Sequence, residues 1–193
     1  MIPEAFAYER PESVADAVGM LREHGDAARV LAGGHSLLPM MRLRLAAPEA
    51  LVDIGGIPSL RGITDAGQHL VIGALTRHAD LASSEVVRSG CPILSQAAEG
   101  IGDMQVRNRG TIGGSLAHAD PHGDMPAVVL ALDGEVTAEG PGGSRTIAAR
   151  DLFVDYLTTS LAPDEIVTEV RVPKAAHGAY VKFNRRALEA AMG

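Results

Sequence analysis

The sequence predicts an α+β fold arranged as two lobes, and three observations predict it. The first 55 or so residues alternate strand-like and helix-like patterns with connections too long for hairpins, which implies parallel pairing. The last third is a series of short strand patterns broken by Gly and Pro, which implies an antiparallel sheet. Two separated pairs, Gly33-Gly34 and Gly113-Gly114, each have hydroxyl residues nearby (Ser36; Thr111 and Ser115), as expected where a backbone must approach a ligand closely.

Taken in order, Ser13 to His24 reads as an amphipathic helix with Val14, Ala17, Val18 and Leu21 on one face, Ser13 as cap and Gly25 as stop. Ala28 to Ala32 is a short strand that runs into Gly33-Gly34-His35-Ser36. A helix from about Leu37 to Leu45 and a strand from Leu51 to Ile54 complete the first lobe, residues 1–55. Gly55-Gly56-Ile57-Pro58 breaks the pattern and opens the second lobe, residues 56–186, which leaves 187–193 as a tail. In that lobe His69 to Gly73 is a strand, Thr76 caps a helix through Ala82, Pro92 opens a helix to about Glu99, and Asp124 caps a helix from Met125 to about Leu132. Strands then follow at Glu135–Ala138, Arg145–Ala148, Glu165–Val172 and Ala179–Asn184, with Asp151 to Ser160 open to more than one reading.

Composition narrows the function. A net charge of −7 argues against nucleic acid, whose partners carry a basic patch. No apolar run is long enough for a membrane span, and the N-terminus lacks the pattern of a secretory signal, so a cytoplasmic protein is expected. The single cysteine, Cys91, excludes an internal disulfide and an iron–sulfur cluster held by this chain alone; its apolar setting reads as core. Met40, Met41 and Met104 read as core filler, and His24, His69, His78 and His177 as solvated.

The two glycine stretches carry the chemistry. Strand, glycine turn and helix present free amides to an anion, here those of Gly34, His35, Ser36 and Leu37, with the Ser36 hydroxyl beside them. The spacing is neither G-x-G-x-x-G nor a P-loop. Thr111-Ile112-Gly113-Gly114-Ser115 is either the second side of a dinucleotide site or a plain bulge. Arg107 and Arg109 add charge to that site or are solvated. The row His118, Asp120, His122, Asp124 suggests a metal, but Pro121 and Gly123 interrupt it, and no metal is expected. Asp124 is expected to cap its helix and to accept a hydrogen bond from a ligand hydroxyl. With no nucleophile–base pair or carboxylate dyad, no catalytic residue is expected in the chain, and a bound cofactor would carry the chemistry.

Ala32 to Arg44 (AGGHSLLPMMRLR), Arg107 to Gly114 (RNRGTIGG) and Asp120 to Ala127 (DPHGDMPA), with VDI-x-x-I, VIGALT and YVKFNRR, resemble the FAD-binding middle subunit of molybdenum hydroxylases. The nearest likeness is to the medium chains of aerobic carbon monoxide dehydrogenases; xanthine dehydrogenase flavin domains are more distant. The resemblance implies a PCMH/vanillyl-alcohol-oxidase-type FAD-binding fold. It implies pyrophosphate binding at Val30, Leu31, Ala32, Gly33, Gly34, His35, Ser36 and Leu37, and further cofactor contacts from Thr111, Gly113, Gly114, Ser115 and Asp124. Ile101 and Val167 would be apolar neighbours of FAD, and Lys182 a cation near the flavin ring. It further implies a large molybdenum-cofactor subunit and a small subunit with [2Fe-2S] clusters as partners, with electrons leaving FAD for an external acceptor. The C-terminal domain usual in the family is expected to be absent, and Leu188-Glu189-Ala190 stands where relatives tend to have Gly-Asp. A non-catalytic or cofactor-free assembly module of the same fold is the alternative.

Overall fold

The computed structural model describes residues 2–182. The chain opens with strand β1 (Ala7–Glu9) and helix α1 (Val14–His24). The Ser13 side chain accepts from Asp16 N, and Ala17, Val18 and Leu21 are buried, as the periodicity predicts. Strand β2 (Ala28–Leu31), helix α2 (Leu37–Arg42) and strand β3 (Ala50–Asp53) follow. The strands form a parallel sheet in the order β1-β3-β2, confirming the pairing expected from the long connections. β1 was not legible in the sequence: at three residues, with Tyr8 more than half exposed, it carries no alternation. Helix α2 stops short of Leu45, and Arg44 takes a left-handed φ of 57° just beyond it.

Strands β4 (Ile63–Ala66) and β5 (His69–Gly73) form a hairpin. A helical stretch comes next: α3 (His78–Ser83), α4 (Glu85–Gly90), α5 (Pro92–Gly100), α6 (Met104–Arg107), α7 (Ile112–His118) and α8 (Asp124–Ala131). Strands β6 (Glu135–Gly140) and β7 (Gly143–Ala148) pair across a turn at Pro141-Gly142. The ambiguous segment resolves into helix α9 (Ala149–Leu152) and a small hairpin, β8 (Phe153–Asp155) with β9 (Thr158–Thr159). Finally β10 (Ile166–Pro173) returns to the centre of a five-stranded antiparallel sheet ordered β4-β5-β10-β6-β7, with a register shift between Val167 and Glu169.

Two apolar cores result. The larger packs α5, α7 and α8 against β5, β6 and β10, with Leu70, Ile72, Leu94, Ile112, Leu116, Met125 and Val170 fully buried and Cys91 among them. The smaller lies under α1 and the parallel sheet. It also takes in Ile57, Leu60, Leu75 and Ile166, so residues beyond the glycine breaker seal the first sheet. Among the described residues, no helix is long and apolar enough to cross a membrane.

Several expectations are corrected. Thr76 caps no helix: its hydroxyl donates to Gly62 O (3.0 Å) and accepts from Gly62 N (3.3 Å), and the helix begins two residues later. Asp124 is the first residue of α8 rather than its cap, a position held by Gly123, and its carboxylate is engaged elsewhere. Residues 179–182 are not a strand; the rest of that predicted strand and the 187–193 tail lie outside the described residues. Met104 is 69% exposed, so only Met41 of the three methionines lies fully in a core. His24 pairs with Glu9 at 2.6 Å, Arg171 donates to His69 Nδ1 (3.3 Å), and His78 is buried, so of the four histidines only His177 is solvated as expected.

Candidate cofactor-binding site

The first wall is the turn that leaves β2. Gly34 has a φ of +78°, a left-handed conformation that glycine adopts without strain. Gly33 is needed for space: a Cβ there would lie 2.2 Å from Arg109 O and 3.0 Å from Gly110 Cα, both rigid backbone. The turn therefore lies directly against the segment that leads into α7. The amides of Gly34, His35, Ser36 and Leu37 have no acceptor among the described residues, whereas those of Leu38 and Met40 bond back to Gly34 O and Ser36 O. Ser36 occupies the N-cap position of α2 but makes no capping bond, so its hydroxyl is free as well. The turn thus presents a row of donors that the chain leaves unused, the arrangement that receives an anion.

The second wall is built on a different plan. Thr111 to Ser115 is neither bulge nor extended strand; it is the start of α7, with Thr111 as its N-cap. All but one of the five amides here, that of Thr111, are already used. Ile112 N donates to Thr76 O (3.0 Å), Gly113 N to Ala74 O (2.9 Å) and Ser115 N to Thr111 O (3.0 Å). Gly114 N donates to Thr111 Oγ1 at 3.2 Å. Gly113 is a packing glycine, since a Cβ would stand 2.5 Å from Ala74 Cβ, while Gly114 faces Ala32 across the gap. This wall supplies shape and hydroxyls, with only the Thr111 amide left unused.

Between the walls runs a cleft of about 250 Å³. It is lined by Ala32 through Leu37 on one side, by Thr111, Gly114, Ser115 and His118 on the other, and by Ile101, Val106, Gly110 and His78. It continues past Ala32 and Gly114 into a small apolar slot lined by Val30, Gly113, Leu161, Ile166 and Val167 among others. Most of the predicted site residues therefore converge. Leu31, Asp124 and Lys182 line neither space. Lys182 Nζ lies 3.1 Å from Asp124 Oδ1 and donates to His122 O (2.9 Å), and Tyr180 OH donates to the same Asp124 oxygen at 2.7 Å. Burial, then that bond to Asp124, push the Tyr180 phenol up to about 12. His118 stands on α7 and Asp120 in the turn after it, where it holds His122 N; among the described residues no cluster of three His, Cys, Asp or Glu side chains could hold a metal.

His78 is the site residue that sequence reasoning missed. It is 2% exposed, and its Nε2 lies 3.1 Å from Ser115 Oγ. A Cβ on Gly110 would stand 2.8 Å from its ring, so Gly110 makes room for the imidazole. Burial pushes its pKa down to about 4, with His35 acting in the same direction and Asp124 opposing, so the ring is neutral at pH 7. Its Nδ1 is buried without a partner among the described residues. A signal was present, because His78 and Leu81, three apart, share the buried face of α3.

A glycine-lined cleft with a row of unused amides along one wall defines a dinucleotide-cofactor domain. The chain belongs to the family described as the FAD binding domain in molybdopterin dehydrogenase, whose model matches residues 4–175. It is 49% identical to the carbon monoxide dehydrogenase medium chain of Hydrogenophaga pseudoflava over 189 residues, covering 96% of this chain and 66% of that one. It is 45% identical to the 6-hydroxypseudooxynicotine dehydrogenase complex subunit alpha of Paenarthrobacter nicotinovorans, covering 100% and 66%. The carbon monoxide dehydrogenase structure from Hydrogenophaga pseudoflava superposes with a TM-score of 0.93 at 50% identity, covering 96% of this chain and 66% of that one. Quinoline 2-oxidoreductase from Pseudomonas putida 86 does so at 0.88 and 34% identity, covering 91% and 61%. The chain therefore spans just under two thirds of the length of these relatives.

Proposed function

We propose that the cleft holds FAD and that the chain is the electron-transfer subunit of a molybdenum hydroxylase complex. The observation that carries this reading is the run of amides from Gly34 to Leu37 left unused beside a cleft with an apolar extension. Such a site suits a pyrophosphate flanked by two flat, mostly apolar ends. In this reading Gly34, His35, Ser36 and Leu37 bind the pyrophosphate, while Ala32 and Gly33 let it approach. Thr111, Gly113, Gly114 and Ser115 form the facing wall. Val30 and Val167 line the apolar slot, with Leu31 supporting the turn from the end of β2, and Ile101 offers an apolar contact in the main cleft. Asp124 and Lys182, held together with Tyr180, border the site from the second lobe. Bound FAD supplies redox chemistry that no side chain of the cleft can provide. Neutral His78 orients the Ser115 hydroxyl without adding charge.

The electron donor in this proposal is a small iron–sulfur subunit, itself supplied by a large molybdenum-cofactor subunit, and the recipient is an external acceptor in the cytoplasm. The division of labour follows from the single cysteine, which cannot hold a cluster alone. The lobes at 1–55 and 56–186 are the two halves of the cradle. Relatives at similar identity carry names for different substrates, so the substrate of the complex is expected to be set outside this cleft. Titrating the purified chain with FAD while following flavin fluorescence and absorbance tests the reading. Saturable quenching at one FAD per chain is expected. A colourless chain that co-purifies with its partners and leaves flavin fluorescence unchanged would show the cofactor-free assembly module instead.

A further inference from the structure

A second polar cavity, of about 190 Å³, shares Ala32, Gly33 and Thr111 with the cofactor cleft and is otherwise lined by different residues. Four arginines converge on it from four separate segments: Arg10 after β1, Arg61 before β4, Arg77 before α3 and Arg109 before α7. Asp53 is the one carboxylate in its lining. We propose that this cavity is a second anion site, distinct from the cofactor cleft, that takes a small phosphate-type oxyanion.

The charge balance carries the inference. Among the described residues, the arginines that pair with acids are Arg88, Arg145, Arg150 and Arg171, all elsewhere. Among the described residues none of the four at the cavity has a carboxylate partner, although the chain as a whole carries a net charge of −7 and acids are plentiful. Asp53 offsets only one of the four charges and forms no ion pair with them among the described residues; its carboxylate accepts from Gly55 N (2.8 Å) and from the Tyr8 hydroxyl. Four arginines around one small space, with a single carboxylate among them, leave an excess of positive charge that an entering anion would offset.

The geometry is also prepared. Arg61 is held in place by its own fork, which donates to Gly55 O (2.9 Å) and Leu75 O (3.4 Å). The Arg10 guanidinium lies over Gly56, where a Cβ would stand 3.0 Å from its Nε. A backbone bridge between Arg77 and Thr111 fixes the spacing of the segments that carry Arg77 and Arg109. Planar guanidinium forks suit phosphate oxygens bidentately. At about 190 Å³ the cavity has room for a single phosphate.

The anion could be free phosphate or a phosphate of the cofactor reaching behind the turn, and the test separates the two. The full chain, with and without bound FAD, is titrated with inorganic phosphate by calorimetry at constant ionic strength, with chloride as the control anion. Saturable 1:1 binding in both forms is expected, with FAD retained. R10Q/R77Q should weaken phosphate binding about tenfold or more and leave flavin quenching within twofold. R10K/R77K keeps the charge but loses the forks, and weakens phosphate by a smaller factor; it serves if the glutamine variant does not fold. Three results would overturn the proposal. One is no saturation beyond chloride. Another is phosphate binding that is unchanged in both variants. The third is binding only to the FAD-free chain, which would assign the arginines to the cofactor's own phosphate. Should the chain bind no FAD at all, the FAD-free titration still reads this cavity, so the two proposals fail separately.

Discussion

Replacing Gly33 with alanine probes the geometry of the first wall. The added Cβ would sit 2.2 Å from Arg109 O, 2.9 Å from Arg109 C and 3.0 Å from Gly110 Cα. Comfortable carbon contacts begin near about 3.5 Å, so the turn must retreat by about 1 Å or more. The obstacle is backbone, and no side chain can swing aside. Overpacking of this kind costs about 1–3 kcal/mol. If the free chain relieves that strain by moving the turn, and the bound form must restore it, the penalty falls on binding. The FAD dissociation constant then rises by roughly 5- to 150-fold. Flavin fluorescence quenching measures it, with thermal unfolding recorded alongside. Gly114→Ala is the control: its Cβ meets only the Thr111 hydroxyl, at 2.8 Å, and Ala32 Cβ at 3.9 Å. It should lose the cap bond, about 1 kcal/mol of stability, with a smaller effect on affinity. G33A binding FAD within twofold of the parent, with an unchanged melting temperature, would refute the reasoning.

Other outcomes follow from the same contacts. His78 has a folded-state pKa of about 4 against 6.5 unfolded, so between those values the unfolded chain binds the extra proton and stability rises with pH. Urea unfolding should show up to about 3 kcal/mol lost from this group as pH falls from 6.5 to 4, and H78Q should flatten that slope. In D124N, Tyr180 loses its charged acceptor. Its ultraviolet titration should move down from about 12 towards 10, with about 1–2 kcal/mol of stability lost; an unchanged Tyr180 titration would remove Asp124 from this role. Cys91 is fully buried and its thiol is pushed up by burial, so a thiol reagent should label it only after unfolding. Rapid labelling of the native chain would contradict that burial.

The periodic and punctuated parts of the chain were legible. Helix α1 announced itself through its apolar face and its Ser13 and Gly25 ends, and β6 with β7 through the glycine turn between them. The first glycine turn could be read because strand, Gly-Gly and hydroxyl carry a local mechanism. What the sequence hid was tertiary. β1 exists because β3 offers it an edge, not because Ala7 to Glu9 has a pattern. Thr76 looked like a cap but is bound to Gly62, fourteen residues away. Asp124 looked like a cap because it precedes Met-Pro, yet its oxygen is taken by Tyr180 and Lys182, more than fifty residues on. The second glycine pair looked equivalent to the first, and only the hydrogen bonds distinguish them: one set of amides is spent on Thr76, Ala74 and Thr111, the other is free. His78 was read as solvated because a lone histidine at a helix start usually is; its burial depends on Gly110, which lies far away in the sequence.

That difference between the two walls is the central claim, and amide-resolved NMR tests it most directly. With a ¹⁵N-labelled chain titrated with FAD, the amides of Gly34, His35, Ser36 and Leu37 should show the largest shifts and slowed exchange with solvent. Those of Gly113 and Gly114, already bonded within the chain, should shift less and keep the exchange rates they had before FAD. Shifts centred on Gly113 and Gly114 with the first turn unmoved would contradict the account.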